Sequence, residues 1–144
     1  MAYDDNGKLV DAVTDPNVST RDKAKAKAVY SLLNTPNNYQ SAYEFWYQWS
    51  MWYDLSGETF IGLWRKDQNN PTQTPMEMYL LDSTLITAQI TPTRYPTYRL
   101  STSTYGFNKD EPLEYFQVIH ASEMAWQGSA GFNKGILAAE LVSL

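Results

Sequence analysis

The segment from residue 31 to residue 57, SLLNTPNNYQSAYEFWYQWSMWYDLSG, constrains the fold more than any other part of the chain. Between positions 45 and 52 it holds one phenylalanine and three of the chain's five tryptophans, and four tyrosines lie in the same segment. Rings at this density present too much apolar surface to remain in water. The segment must therefore be buried against its own domain, against a partner, or against both.

The spacing of these rings predicts one amphipathic α-helix, running roughly from residue 38 to residue 55. Asn37 is the predicted N-cap, because its side chain can accept a backbone hydrogen bond and Gln40 lies three residues further on. Gly57 follows the last ring and is the predicted C-terminal stop. The apolar stripe consists of the residues that recur at three- and four-residue steps: Ala42, Phe45, Trp46, Trp49, Trp52 and Tyr53.

This helix carries two apolar rows, which indicates burial on two sides. The first row is the candidate core and consists of Phe45, Trp46, Trp49 and Trp52. The second row runs at four-residue steps on a different face and consists of Tyr43, Tyr47 and Met51. Because tyrosine suits surfaces that are partly wet, the second row is the candidate interface with another part of the subunit or with a neighbour.

Composition excludes several classes of protein. A length of 144 residues with 43% hydrophobic and 19% charged residues is typical of one globular domain. No apolar run approaches the roughly 20 residues that a membrane span needs. Cysteine is absent, which excludes disulfides and thiolate chemistry. A net charge of −5 argues against nucleic-acid binding by the whole surface.

The rest of the chain predicts an α+β fold. A first helix, roughly residues 20 to 34 and capped by Ser19 or Thr20, pairs with the aromatic helix as an N-terminal αα-hairpin. The hairpin packs on a mostly antiparallel sheet of about four to six strands, and a C-terminal helix follows. Ahead of the first helix, a turn at Asp5-Asn6-Gly7 adjoins a short strand. The main strands are predicted at 59–64, 76–81, 85–90, 94–101 and 116–120, and the last helix at about 134–144.

We interpret residues 1–144 as a single, incomplete domain, trimmed at both ends. The strand that should precede the turn at Asp5-Asn6-Gly7 is almost missing, and the last helical pattern stops without a cap. No internal repeat divides the chain.

Residues that could carry chemistry are few, so we predict no enzyme, no cofactor and no metal site. His120 is the one histidine, and a structural or hydrogen-bonding role is the favoured interpretation. Phosphate-binding and nucleophile motifs are missing. The basic residues Arg21, Lys23, Lys25 and Lys27 are spread around the first helix and favour a solvated surface.

Two alternatives remain open on the residues alone. The exposed aromatic rings would suit a carbohydrate- or peptide-binding α+β module. A hydrolase would need two facing carboxylates, for which Asp110, Glu111 and Glu114 are the candidates.

Several passages, taken in order, resemble the portal proteins of tailed phages, which are head–tail connectors. Residues 31–46 resemble the passage that opens a long helix in that family, and Gly57-Glu58-Thr59-Phe60 resembles its turn into a strand. Leu80-Leu81-Asp82-Ser83 lacks the two prolines of the family's passage, which indicates a divergent member. The last two passages are Val118-Ile119-His120 and the loosely fitting helix start at residues 131–139.

The resemblance implies a structural protein of the virion rather than an enzyme. Proteins similar to this one form a homo-oligomeric ring at one capsid vertex, through which double-stranded DNA is packaged and ejected without specific binding. The implied partners are other copies of the subunit, the terminase motor, and capsid and tail or adaptor proteins, with no membrane. The implied location is the portal vertex, and the host cytoplasm during assembly. The chain would form part of the wing, and we expect it to be monomeric or weakly associating in isolation.

Overall fold

The structure, a computed structural model, describes residues 2–3, 9–10, 16–90, 92 and 95–122. Two helices precede most of the strands, and every strand pair in these residues is antiparallel, which confirms the α+β class. The elements in chain order are β1 (Ala2–Tyr3), β2 (Leu9–Val10), α1 (Thr20–Asn34), α2 (Ala42–Ser56), β3 (Glu58–Trp64), β4 (Glu77–Leu81), β5 (Ile86–Ile90), β6 (Pro96–Leu100), a 3₁₀ turn (Tyr115–Gln117) and β7 (Val118–Ser122).

The centre of the fold is a three-stranded sheet in the order β4-β3-β7. Phe60 of β3 lies opposite Leu81 on one side and His120 on the other. Every residue of β3 before Trp64 is buried, because the sheet is covered on both faces. The remaining strands form two-stranded sheets, β1 with β2 and β5 with β6.

Alternate residues of β3 and β4 enter two separate cores, as the two-residue period of a strand requires. One core lies between the sheet and the helices and contains Leu32, Phe45, Ile61, Leu63, Met78 and Leu80. The other lies between the sheet and the β5–β6 ribbon, and its members include Phe60, Leu81, Ile86, Tyr98 and Leu100. The central sheet is therefore the middle of three layers.

Gly62 sits in the middle of β3 because a ring crosses directly over it. A Cβ atom at this position would lie 2.7 Å from Cε2 of Phe107, closer than atoms can pack. Phe107 belongs to the core on the ribbon side and is buried. The glycine thus lets the loop after β6 close on the sheet.

The segment between the two helices closes the outer edge of β4. The backbone N–H of Met78 donates to the carbonyl of Pro36 at 2.7 Å, and the carbonyl of Met78 accepts from Nδ2 of Asn37 at 2.8 Å. The N-cap prediction for Asn37 is wrong, because the N-cap of α2 is Ser41, four residues further along the chain. The segment spans residues 35–41 and is therefore longer than the three residues, 35–37, that lie between the two predicted helices. The αα-hairpin stays a prediction.

The first helix and the strands lie close to their predicted positions. α1 begins after its cap Ser19, whose side chain accepts from the N–H of Asp22. The fifth predicted strand is displaced, because residues 115–117 form a 3₁₀ turn and β7 begins at Val118. Pro96 is the first residue of β6, a position where its missing N–H is tolerated. The C-terminal helix predicted at 134–144 lies outside the described residues, as does the turn at Asp5-Asn6-Gly7.

Candidate functional site

Helix α2 is fixed at both ends, so the side chains on its two faces have defined directions. Ser41 Oγ accepts from the N–H of Glu44, and the Glu44 carboxylate accepts from the N–H of Ser41 at 2.8 Å, forming a capping box. The bond from the Ser41 N–H, and after it the bond that the Ser41 hydroxyl donates to the same carboxylate at 2.7 Å, lower the pKa of Glu44. Gly57 ends the helix in the left-handed conformation at φ 71°, and its N–H donates to Tyr53, which confirms the predicted stop.

One face of α2 packs on the sheet. Phe45 is 0% exposed and lies in the helix-side core, with Trp46 and Trp49 packed against that core and half-buried. Trp46 meets Phe45 edge-on at 5.0 Å between ring centroids, and its indole N–H donates to the carbonyl of Leu33 at 3.3 Å. Trp52 is half-buried. The rings of this face therefore tie α2 to the sheet and to the end of α1.

The opposite face of α2 is the candidate interface, and the structure leaves it open. Tyr43 is 77% exposed and Tyr47 62%, and their rings stack at 6.1 Å with an angle of 14° between planes. Met51 continues the row one turn further and is also exposed. Together with Tyr39 they line one shallow groove. We call Tyr43, Tyr47 and Met51 the tyrosine row.

The surroundings of the tyrosine row are polar and acidic. Gln40 Nε2 donates to Gln48 Oε1 at 2.6 Å along one side of the groove. Glu44 and Asp54 lie one helical turn from members of the row and are exposed. Helix α2 contains no basic residue. The groove therefore favours an apolar partner that carries positive charge at its margins.

Tyrosines beyond α2 form ring contacts that extend from the groove across the edge of the sheet, through the buried ring of Tyr79. Tyr39 meets the ring of Tyr79 at 6.4 Å, and Tyr105 stacks on Tyr79 at 4.7 Å. Burial, together with a 2.8 Å hydrogen bond from its hydroxyl to Glu77, raises the pKa of Tyr79 to about 12. The sequence prediction missed this extension, because the three tyrosines are far apart in the chain and only the fold brings them together.

His120 occupies the middle of β7 and contacts residues of the neighbouring strand. Its Nε2 lies 3.2 Å from Oε2 of the buried Glu58, and its ring stacks on Phe60 at 4.3 Å. These contacts hold β7 to β3. The geometry is that of a residue that stabilises the sheet rather than one that faces a substrate.

The acidic residues singled out from the sequence lie in the loop between β6 and β7. Glu111 and Glu114 are exposed and line one pocket together with Trp64 and Gln117. Asp110 does not line it, and its N–H donates to Asn108 within a turn. The pocket is lined by aromatic rings and carboxylates, and it shares no lining residue with the groove of the tyrosine row.

Arg65 is buried and clamps two loops beside this pocket. Its Nε donates to the carbonyl of Gln73 at 2.8 Å and its Nη1 to the carbonyl of Phe116 at 2.9 Å. The guanidinium also lies over the Phe116 ring at 5.7 Å. Burial lowers the pKa of Arg65 from its ordinary value. Arg65 therefore has a structural role that the sequence analysis did not single out.

Two negative findings apply to the part of the chain that the structure describes. No group of three or more His, Asp or Glu residues is arranged to hold a metal ion there. Within the same residues, neither helix is long and apolar enough to cross a membrane.

A comparison with models of known protein families finds one described as phage portal protein, which matches residues 9–144. This match covers nearly the whole chain. The chain belongs to the phage portal protein family. This family consists of structural proteins rather than enzymes, and membership supports a structural role in a phage-type virion.

Solved structures give the portal-family chain a second, independent point of comparison. It is similar to a chain in a structure described as the neck of an empty GTA particle computed with C6 symmetry, with a TM-score of 0.54 and 18% sequence identity. The similarity covers 80% of this chain and 30% of that one, so this chain spans less than a third of its neighbour's length. At this identity the likeness shows the fold. A search of curated protein sequences finds no match.

Proposed function

We propose that this chain forms part of the outer body, or wing, of a portal ring at one vertex of a phage capsid. The single observation that carries the proposal is the match to the portal family over residues 9–144. The fold it shares with a chain from the neck of a symmetric particle supports a ring of identical subunits. In this proposal residues 1–144 are one incomplete domain of a longer subunit.

The ring would serve as the passage for the genome and as the attachment point for other machines. Double-stranded DNA would pass through it during packaging and ejection, the packaging motor would dock on it, and the tail would assemble on it. The net charge of −5 suits a subunit that lets DNA pass without holding it. The subunit would assemble in the host cytoplasm and remain in the virion.

A stop codon early in the gene tests this proposal in the parent phage. We expect empty capsid shells without tails, because neither packaging nor tail attachment can proceed without the ring. Supplying the intact gene in trans should restore filled, tailed particles. Filled heads that carry tails in the absence of the protein would overturn the proposal.

The pocket beside Trp64 supports a second candidate, a carbohydrate- or peptide-binding module. A tryptophan flanked by Glu111, Glu114 and Gln117 offers a stacking surface with polar groups around it. Titration with a panel of glycans and peptides should then change tryptophan fluorescence in the chain and not in a Trp64→Phe variant. No response across a broad panel would remove this candidate.

A further inference from the structure

Helix α1 has a large surface that the described residues leave uncovered. Its one buried residue is Leu32, although the helix is fifteen residues long. Val29, Tyr30 and Leu33 are exposed large side chains on a neighbouring face, and Ala26 lies one turn before Tyr30. We call these four residues the α1 strip. A helix of this length is only marginally stable in water without packing, so we expect the α1 strip to be covered by a partner.

The charge on α1 is opposite to the charge on α2. α1 contains four basic residues, Arg21, Lys23, Lys25 and Lys27, and one acidic residue, Asp22. Lys25 lies one turn before Val29 and Lys23 lies one turn before Ala26, so a lysine borders the α1 strip on each side. α2 contains Glu44 and Asp54 and no basic residue. The α1 strip therefore has apolar and charged features complementary to those of the tyrosine row.

Helix α1 does not lie where it could cover the tyrosine row of its own chain. Its C-terminal end is held on the buried face of α2, where the indole of Trp46 donates to the carbonyl of Leu33. The tyrosine row lies on the opposite face of α2 and is exposed. A contact between the two surfaces must therefore join two copies of the chain.

We infer that the α1 strip of one copy docks in the groove of the tyrosine row of a second copy. The contact is heterologous, because one subunit contributes α1 and the other contributes α2, and such contacts close into rings when the rotation permits. Lys23 and Lys25 then face Glu44 and Asp54 at the margins, and the tyrosines supply rings for apolar and cation–π contact. The inference rests on the proposed ring assembly and assigns a surface to it.

Cysteine cross-linking tests the contact directly, because the natural chain contains no cysteine. The two variants are Val29→Cys and Tyr47→Cys, both at exposed positions at the centres of the two surfaces. We expect a disulfide-linked dimer under mild oxidation when the two variants are mixed at high concentration. The double variant should form linked species longer than dimers, because each chain then carries both halves of the contact.

The control replaces Val29→Cys with Thr87→Cys, an exposed position on β5. Cross-linking of Tyr47→Cys to this control as efficient as to Val29→Cys would overturn the inference. So would failure of Tyr47→Cys to react with a maleimide in the native monomer, because the chain itself would then cover the row. A chain that stays monomeric and uncross-linked at every concentration would overturn it as well.

A charge exchange gives a second measurement. Lys25→Glu should weaken association by about twofold to fivefold, the range measured for exposed ion pairs. Asp54→Lys in the partner copy should restore it, and equal weakening by both changes without restoration would contradict the contact. If rings form in particles while these tests fail, the inference falls and the proposed function stands. Filled, tailed heads without the protein would remove the proposed function itself.

Discussion

The two faces of α2 have similar aromatic content and opposite environments. Phe45, with Trp46 and Trp49 beside it, packs on the sheet, whereas Tyr43 and Tyr47 extend into solvent one half-turn away. The buried face uses mainly phenylalanine and tryptophan rings, with Tyr53 stacked on Trp49, and the exposed face uses tyrosines whose hydroxyls can remain hydrated. A helix can thus hold its own domain together with one face and keep the other for a partner.

The largest expected effect comes from removing the ring at the centre of the buried face. Phe45→Ala should lower the free energy of unfolding by about 3–5 kcal/mol, because it leaves a cavity between α2 and the sheet. Urea denaturation followed by circular dichroism measures the change. The matched control is Tyr43→Ala on the exposed face, which should shift stability by no more than about 0.5 kcal/mol. Similar decreases in the free energy of unfolding for both variants would show that the two faces do not differ in this way.

The next effect concerns the N-terminus of α2, which sets the direction of both faces. Ser41→Ala should cost about 0.5–2 kcal/mol, because the N–H groups of the first turn lose their acceptor. Ser50→Ala, an exposed position in the same helix, serves as the control and should be nearly neutral. Thermal unfolding compares the two. A neutral Ser41→Ala would show that the cap does not hold the helix start in place.

The capping carboxylate predicts a pH dependence that is smaller than the effect of Ser41→Ala. Because folding lowers the pKa of Glu44 below its ordinary value of 4.5, its charge stabilises the folded state above that pH. This contribution is lost as the pH falls through the lower, folded value. Glu44→Gln keeps an acceptor without the charge. Wild type should therefore be more stable than Glu44→Gln near neutral pH, and the difference in their free energies of unfolding should become smaller below pH 4.5. A difference that does not change with pH would contradict this account.

The smallest effect on stability should come from the exposed face itself. Replacing Tyr43, Tyr47 and Met51 together by glutamine keeps the helix propensity and should change stability by no more than about 0.5 kcal/mol in total, because all three side chains are exposed. The matched variant, Trp46→Gln with Trp49→Gln, should be far more destabilising because it places polar groups against the core. Chemical denaturation of the two variants compares them. Loss of folding in the exposed-face variant would show that the tyrosine row belongs to the core.

Local patterns were sufficient to predict the elements and insufficient to predict some of their boundaries. The apolar period placed both helices, and Gly57 marked the end of α2, because these signals depend on neighbours in sequence. Asn37 has the signal of a cap because its Oδ1 accepts from the N–H groups of Tyr39 and Gln40, but these bonds close a turn ahead of α2, whose cap is Ser41. The predicted strand at 116–120 includes two residues of the 3₁₀ turn, because Phe116 favours strands and adjoins the apolar residues of β7.

Only the part of the candidate site that lies within one helix was predictable from the sequence. The tyrosine row follows from a four-residue period within one helix, so the sequence was enough to identify it. The ring contacts from Tyr39 through the buried Tyr79 to Tyr105 depend on how β4 and the loop after β6 are placed, and no local period in the sequence predicts them. The assignment of the two rows to core and interface stays a prediction until association is measured.

The segment between the helices joins the helical half of the fold to the sheet through hydrogen bonds to β4. Pro36 and Asn37 pair with both backbone groups of Met78, so detaching the helices would expose this part of the edge of the sheet. Partial melting would leave unpaired backbone groups and an open template for strand pairing between chains. Helix and sheet signals should therefore disappear together on heating, and the edge of β4 at Met78 should stay closed until the whole domain unfolds.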